Sequence, residues 1–128
     1  ANLINCMPVG GVDEGSRNAS FEVATFAGGA TSGRADHLWP VPVSGNADTF
    51  RAFVGRAPSS GDTWTVTLRK NDANTALSCT ISGASQTTCT DTGAVSFAAG
   101  DRMGVAFVES GTAAHTLGAG WSACFVPD

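Results

Sequence analysis

Charged side chains are scarce in this 128-residue chain. They make up 14% of the residues, against roughly 25% in an average soluble domain. The seven Lys and Arg residues are scattered along the chain, and the formal net charge is −4. A nucleic-acid-binding surface needs a basic patch that neutralises phosphates, so we expect no nucleic-acid partner.

The sequence also lacks long hydrophobic runs and stretches with helical periodicity. A membrane-spanning helix takes roughly 20 consecutive apolar residues, and no run approaches that length, so we expect no membrane partner. The length fits one domain with its own core, which we predict over residues 1–128. Residues 1–18 are weakly patterned and interrupted by glycine, so they form either an N-terminal arm that reaches a neighbour or an ordinary first strand and loop.

Recognisable catalytic and metal-binding motifs are missing as well. His37 and His115 lie far apart in the sequence, and neither belongs to an HExxH or GxSxG motif. A metal site at His37 and Asp36, or a Ser–His–Asp set that includes Ser110 and His115, stays open as an alternative. We predict no catalytic residue, no metal ion and no cofactor.

Three carboxylates near glycines have a structural interpretation. Asp13 and Glu14 are adjacent, so in a strand they would face opposite sides, which disfavours a paired acid–base role. We expect both to be solvated loop residues. Asp101 follows Gly100 at a corner between two apolar runs, where its side chain can hydrogen-bond nearby backbone. We predict that Asp101 shapes this corner and does not bind calcium.

The sequence does contain apolar residues that alternate with polar ones between short turn-forming segments. In TWTVTLRK, Trp64, Val66 and Leu68 fall on one face and the threonines on the other, which is typical of a β-strand. Further segments of this kind are SFEVATFA, HLWPVPV, DTFRAFVG, ALSCTI, QTTCT, AVSFA, DRMGVAFVE and GWSACFV. We predict an all-β protein, an antiparallel β-sandwich (jelly roll) of about eight to ten strands, with successive strands joined as hairpins.

Two of these segments carry apolar residues that one thin sandwich would not cover. Phe53 falls on the outward face of DTFRAFVG, opposite Phe50, Ala52 and Val54. The segment DRMGVAFVE is apolar on both faces, with Met103 on one and Val108 on the other. Burial against a partner subunit would cover such residues, so we predict an interface that includes Phe53, Met103 and Val108.

Proline and tryptophan mark one rim of the predicted sandwich. Pro40 and Pro42 cannot donate to a strand ladder, so HLWPVPV is expected to be an edge strand or a bulged one. Trp64 and Trp121 alternate with apolar residues and are expected in the core. Trp39 beside the prolines is then the candidate exposed aromatic that could stack on a sugar.

Four cysteines are an even number, which fits disulfides in an oxidising location outside the cell. Nine residues separate Cys79 from Cys89, too many for a metal knuckle, and there is no CxxC redox pair. In a hairpin centred on Ala84 the two would be direct cross-strand partners, with β-carbons about 4.5–5.5 Å apart. We predict a Cys79–Cys89 disulfide in such a hairpin, with Cys6 and Cys124 left to tie the terminal strands together.

From Trp39 to Phe125 the chain resembles a family pattern, carried by TWTVTLRKNDANTALSCTISGASQTTCTDT, VSFAAGDRMGVAFVES and GWSACF. These strings are similar to short jelly-roll modules of phage virion proteins and bacterial surface proteins. The last third also resembles the trimeric tumour-necrosis-factor and complement globular-head type of jelly roll. The resemblance implies a homotrimer that serves as a capsid decoration protein, fibre head or adhesive knob, and it carries over no catalytic residues.

The expected function is therefore structural and not enzymatic. We predict a capsid decoration protein that stabilises a viral shell, located on a virion surface or otherwise outside the cell. Its expected partners are further copies of itself, in a homotrimer, and the major capsid protein or another virion protein. The alternative is a fibre head or secreted module that binds glycans.

Overall fold

The computed structural model describes residues 6–24, 30–31, 38–110 and 112–128. These residues form ten β-strands and no helix, and the described part of the chain accordingly holds no helix long and apolar enough to cross a membrane. The strands are Met7–Asp13 (β1), Phe21–Ala24 (β2), Ala30–Thr31 (β3), Trp39–Pro40 (β4), Gly45–Val54 (β5), Ser59–Lys70 (β6), Ala73–Gly83 (β7), Thr88–Phe97 (β8), Arg102–Ser110 (β9) and Ala119–Pro127 (β10).

Two antiparallel sheets pack face to face. The four-stranded sheet has the order β1, β10, β5, β8, and the six-stranded sheet has the order β3, β2, β9, β6, β7, with β4 paired to β9. The pairs are nested along the chain, since β1 pairs with β10, β2 with β9, β5 with β8 and β6 with β7. A long antiparallel hairpin produces this nesting when it rolls up into a jelly roll. The predicted fold is confirmed.

The core lies between the two sheets and follows the alternation in the sequence. Trp64, Val66 and Leu68 of β6 are fully buried, as their shared face predicts. Trp121 of β10 is also buried, and its indole Nε1 donates a hydrogen bond to the carbonyl oxygen of Val23 at 3.3 Å. This bond links the four-stranded sheet to the six-stranded sheet through the core. Trp64 and Trp121 both lie in this core, as the sequence predicts.

Only some of the predicted hairpins exist. Strands β6 and β7 form one, and its turn residues Asn71 and Asp72 have φ angles of 52° and 67°, the left-handed conformations that a tight two-residue turn requires. The connections from β5 to β6 and from β7 to β8 instead cross from one sheet to the other. The hairpin prediction was wrong there because alternation fixes which face a residue occupies but not which strand lies next to it.

The Cys79–Cys89 disulfide is present, with 5.7 Å between the α-carbons, but its setting differs from the prediction. Cys79 is paired with the buried Val66 in the six-stranded sheet, and Cys89 with the buried Ala52 in the four-stranded sheet. Paired residues point to the same side of a sheet, so both cysteines point into the sandwich. The disulfide therefore joins the adjacent edges of the two sheets, and the predicted cross-strand hairpin was wrong.

The side chain of Gln86 connects the two strands that this disulfide joins. Its Nε2 donates hydrogen bonds to the carbonyl oxygens of Thr80, at 3.0 Å, and Thr88, at 2.8 Å. Its Oε1 accepts a hydrogen bond from the backbone N–H of Ser82 at 3.2 Å. One amide side chain thus supplies hydrogen bonds that a backbone ladder would supply in a true hairpin.

The second disulfide joins Cys6 and Cys124, whose α-carbons are 5.2 Å apart. Strand β1 pairs with β10 along its whole length, from Met7 opposite Phe125 to Asp13 opposite Ala119. The expected tie between the terminal strands is confirmed. Residues 6–18 form a first strand and a loop, and residues 1–5 of the candidate arm lie outside the described residues. Two disulfides fit an extracellular, oxidising location.

The proline-flanked segment forms the predicted edge. Strand β4 has two residues, Trp39 and Pro40, and it pairs with the beginning of β9. Val41 then exchanges backbone hydrogen bonds with the corner before β9, donating to the carbonyl oxygen of Asp101 and accepting from the N–H of Gly100. The segment extends the six-stranded sheet without requiring a donor from either proline.

Candidate functional site

The candidate site lies on the outer face of the four-stranded sheet and is built around Phe53. Alternation along β5 buries Phe50, Ala52 and Val54 and leaves Arg51 and Phe53 pointing outward. The Phe53 side chain is 43% exposed, as the sequence predicts. A large aromatic ring therefore lies on an open sheet surface, where a ligand or partner can reach it.

Phe53 belongs to a row of residues that crosses all four strands. In the strand register Val12 of β1 lies opposite Gly120 of β10, which lies opposite Phe53, which in turn lies opposite Thr88 of β8. A Cβ placed on Gly120 would come within 2.5 Å of Phe53 Cε1 and 3.2 Å of Val12 Cγ1. The two apolar side chains thus close over a position that has no side chain of its own.

A groove of about 350 Å³ opens beside the Phe53 ring. Polar side chains line it together with the apolar row, because the next row places Arg51 opposite both Ser122 and Thr90. The side chains that give the groove its character are Val12, Arg51, Phe53, Thr88, Thr90 and Ser122. Its volume falls at the small end of the range of ligand pockets, roughly 300–1,000 Å³. Below, the groove means this set of residues.

Among the residues that the structure describes, Arg51 is the one ionised side chain that lines the groove. Its Nη1 donates a hydrogen bond to Thr90 Oγ1 at 3.3 Å. Within the described residues no carboxylate forms an ion pair with it. The groove therefore combines an aromatic surface, several hydroxyl groups and one positive charge.

An apolar strip borders the groove and extends from Phe53 to a second hollow in the surface. Val12, Phe53 and Leu117 are 50%, 43% and 52% exposed, and all three line a second hollow of about 350 Å³. Below, the apolar strip means these three residues. Single exposed apolar side chains are common on proteins, whereas contiguous ones mark contact surfaces.

A partly buried ion pair lies within the loop that follows β1, and backbone hydrogen bonds join this loop to the one that carries Leu117. Asp13 is 2% exposed and accepts hydrogen bonds from Arg17 Nε at 2.8 Å and Nη2 at 3.1 Å. The Arg17 hydrogen bond, helped by the backbone N–H of Gly15, lowers the pKa of Asp13 below its ordinary value although burial opposes this. Backbone hydrogen bonds from Thr116 to Arg17 and from Gly118 to Gly15 then fix the loop that carries Leu117. The expectation that Asp13 is solvated was wrong, because a nearby arginine satisfies it inside the fold.

The predicted interface residues do not share one surface. Met103 is fully buried in the core, so it offers nothing for a partner to contact, and its assignment to an interface is corrected. Val108 is 48% exposed, but it projects from the outer face of the six-stranded sheet, opposite Thr65. Phe53 lies on the other face of the sandwich. Among the described residues, Phe53 is the one of the three that shares a hollow with other exposed apolar side chains, those of Val12 and Leu117.

Trp39, the aromatic that the sequence singles out for ligand stacking, is half-buried. It pairs with Met103 and packs against the hydrophobic core. Phe53 is the more exposed aromatic, and it is the one beside a groove. The structure therefore moves the candidate stacking position from the proline rim to the four-stranded sheet.

One histidine contacts a serine, and no metal-binding cluster is found among the described residues. Ser16 Oγ lies 3.1 Å from His115 Nδ1, so His115 contacts this serine instead of Ser110. No group of three His, Cys, Asp or Glu side chains in the described part of the chain could hold a metal ion. His37 and Asp36 lie outside the described residues.

Asp101 has the structural role that the sequence predicts at the corner before β9. It accepts hydrogen bonds from the Ala98 N–H and from Asn71 Nδ2.

Sequence patterns alone did not identify most of the groove. Its polar side chains come from β5, β8 and β10, which are distant in the sequence. The one sequence feature that indicated the groove was the alternation along β5, which places Arg51 and Phe53 on the same outward face.

No protein-family model matches this chain, and no curated protein sequence matches it either.

Proposed function

We propose that this chain is a non-enzymatic binding module outside the cell, a fibre head or a secreted domain, that recognises glycans on the outer face of its four-stranded sheet. The observation that carries the proposal is the exposed Phe53 ring beside a groove that contains hydroxyl groups and one arginine.

The chemistry of the groove matches the chemistry of a sugar. A sugar ring has an apolar C–H face and a rim of hydroxyl groups, so it suits a site with one aromatic surface and several hydrogen-bonding groups. Phe53 supplies the surface, and Thr88, Thr90 and Ser122 supply hydroxyls. All four residues lie on paired strands, which hold a binding site more rigidly than loops do.

A glycan array and affinity electrophoresis test this function. We expect the wild-type chain to be retained on a subset of glycans and Phe53→Ala to lose at least tenfold in retention. The control is Val108→Ala, which truncates a similarly exposed apolar residue on the opposite sheet and is expected to bind like the wild type. Absence of any retained glycan, or equal retention of Phe53→Ala, would contradict the proposal.

A second candidate is a structural virion protein that decorates a capsid as a homotrimer. The apolar strip favours it, because three contiguous exposed apolar side chains are suited to burial against another protein. Such a protein would stabilise the shell by mass action, since a ligand that binds only the assembled state shifts the equilibrium toward it. Its partners would be its own copies and the major capsid protein.

Leu117 separates the two candidates because it belongs to the apolar strip but not to the groove. We expect a homotrimer in sizing with light scattering, and we expect Leu117→Asn to dissociate it. Asparagine suits this position because Leu117 has a φ of 52°, a conformation that asparagine tolerates. A wild-type monomer at micromolar concentration would exclude the trimer. Loss of glycan retention in Leu117→Asn would place the glycan at the strip instead of the groove.

A further inference from the structure

We infer that the groove selects sugars that carry a carboxylate, with Arg51 as the residue that determines this specificity. The inference rests on the proposed glycan-binding function and names the ligand class of that same groove. Four observations support it, concerning charge, spacing, hydrogen bonding and the neutrality of the other groups in the groove.

The first observation is the sign of the charge in the groove. The chain as a whole carries a net charge of −4, which on average repels an anionic ligand. Arg51 gives the groove a positive charge that no carboxylate in the described residues pairs with. By contrast, Arg17 and Arg69 pair with Asp13 and Asp72. A carboxylate on the ligand would complement the charge of Arg51.

The second observation is the spacing between the aromatic ring and the charge. Arg51 and Phe53 are two residues apart on β5 and share its outward face. Residues at this separation are about 6.8 Å apart along a strand. A six-membered ring stacked on Phe53 therefore brings an exocyclic substituent toward Arg51.

The third observation is the orientation of the guanidinium group. Thr90 Oγ1 accepts a hydrogen bond from one Arg51 nitrogen, which restrains the side chain at the groove. Guanidinium carries five N–H donors in a planar fork that matches a carboxylate. Charge-assisted hydrogen bonds are roughly twice as strong as neutral ones, so a carboxylate gains more from Arg51 than a hydroxymethyl group does.

The fourth observation is that the remaining groove groups are neutral. Thr88 and Ser122 can donate or accept through their hydroxyls, so they serve acidic and neutral sugars alike. Phe53 and Val12 contribute apolar contact that is also independent of ligand charge. Discrimination between the two sugar classes consequently falls to Arg51.

Protein-observed NMR titration with matched pairs of methyl glycosides tests the inference. The pairs are glucuronide with glucoside and galacturonide with galactoside, each of which differs only in carboxylate against hydroxymethyl. We expect the acidic member of at least one pair to bind about tenfold more tightly at low salt. The preference is expected to shrink in 1 M salt, where screening acts over about 3 Å.

Two variants complete the test. Arg51→Gln is expected to lose the preference, so that the acidic and the neutral member of each pair bind it with dissociation constants that differ by less than about twofold. Arg102→Gln removes the same charge from an exposed site on β9 and is expected to keep the preference. Equal binding of both members by the wild type, or an undiminished preference in Arg51→Gln, would overturn the inference and leave glycan recognition intact. Binding of neither member of any pair would count against both proposals.

Discussion

Phe53 lies directly over Gly120, on the neighbouring strand, so that its ring edge occupies the space where a side chain at residue 120 would begin. An ideal Cβ there would be 2.5 Å from Phe53 Cε1, closer than carbon atoms approach in proteins. A glycine in the middle of a strand ordinarily weakens it. Here the absence of a side chain at residue 120 leaves room for the aromatic ring beside the groove.

The first prediction concerns this contact. Gly120→Ala is expected to move the Phe53 ring and to lower glycan retention at least tenfold. The free energy of unfolding is expected to change by no more than about 1 kcal/mol, because an exposed ring can rotate away and alanine restricts the unfolded chain. Retention and thermal unfolding of the same sample give both quantities.

Gly93→Ala is the matched control for Gly120→Ala. Gly93 also lies within a strand of the four-stranded sheet, but a Cβ there would come no closer than 3.4 Å to its neighbours. The Gly93→Ala variant is expected to bind glycans like the wild type. Unchanged retention in Gly120→Ala would show that the ring position does not matter for the groove.

Alternation in the sequence predicted which face each residue occupies, and it predicted little beyond that. It placed Phe53 and Arg51 outward and Trp64 inward, because side-chain direction in a strand depends only on local parity. The groove also needs Thr88, Thr90 and Ser122 beside Arg51, and these contacts depend on the pairing of β5 with β8 and β10. Pairing between distant strands depends on packing of the whole core, so no local pattern contains it.

The cysteines and Asp13 illustrate the same limit. Cys79 and Cys89 can lie close together in a hairpin or in a connection that crosses between the two sheets. Their spacing therefore predicted the disulfide but not that it joins one sheet to the other. Asp13 was expected in solvent because its adjacency to Glu14 disfavours a paired acid–base role. Its partner Arg17 lies four residues away in a loop, and only the folded loop brings the two together at 2.8 Å.

The second prediction compares the two disulfides. Replacing both cysteines of the Cys6–Cys124 pair by serine is expected to lower the free energy of unfolding by about 5 kcal/mol. The same change in Cys79–Cys89 is expected to cost about 3 kcal/mol, because the chain-entropy model gives more stabilisation to a longer closed loop. The pairs are separated by 118 and 10 residues. Guanidinium unfolding measures both variants, and a larger loss for the shorter loop would contradict the entropic explanation.

The third prediction concerns the amide bridge of Gln86. Gln86→Ala removes its hydrogen bonds to Thr80, Thr88 and Ser82. Water can reach these exposed groups, so the expected loss of stability is only about 1 kcal/mol. Hydrogen exchange at the Ser82 amide is expected to accelerate. The control Ser85→Ala, in the adjacent turn, is expected to leave that amide protected, and equal exchange in the two variants would exclude the bridge as its protector.

The fourth prediction is a loss of stability in acid. Arg17 lowers the pKa of Asp13, the N–H groups of Ser78 and Gly93 lower that of Asp91, and Asn71 and the N–H of Ala98 lower that of Asp101. A carboxyl whose pKa is lower in the folded state than in the unfolded state binds protons more readily when unfolded, so it stabilises the fold above its ordinary pKa.

That stabilisation is expected to be complete above the ordinary aspartate value of 3.8 and to decline as the pH falls through the lower pKa values of the folded chain. Urea unfolding at pH 7, 4 and 2.5 measures it, with little change in the free energy of unfolding between pH 7 and pH 4 and a fall at pH 2.5.

Asp13→Asn is expected to lower the free energy of unfolding by about 1–3 kcal/mol at pH 7, since it removes a charged hydrogen-bond acceptor from Arg17. It is also expected to flatten the decline in acid. Glu14→Gln removes an exposed charge from the same loop and is expected to leave the free energy of unfolding at pH 7 unchanged. Equal stabilities of these two variants at pH 7 would show that the Asp13–Arg17 pair does not hold the loop.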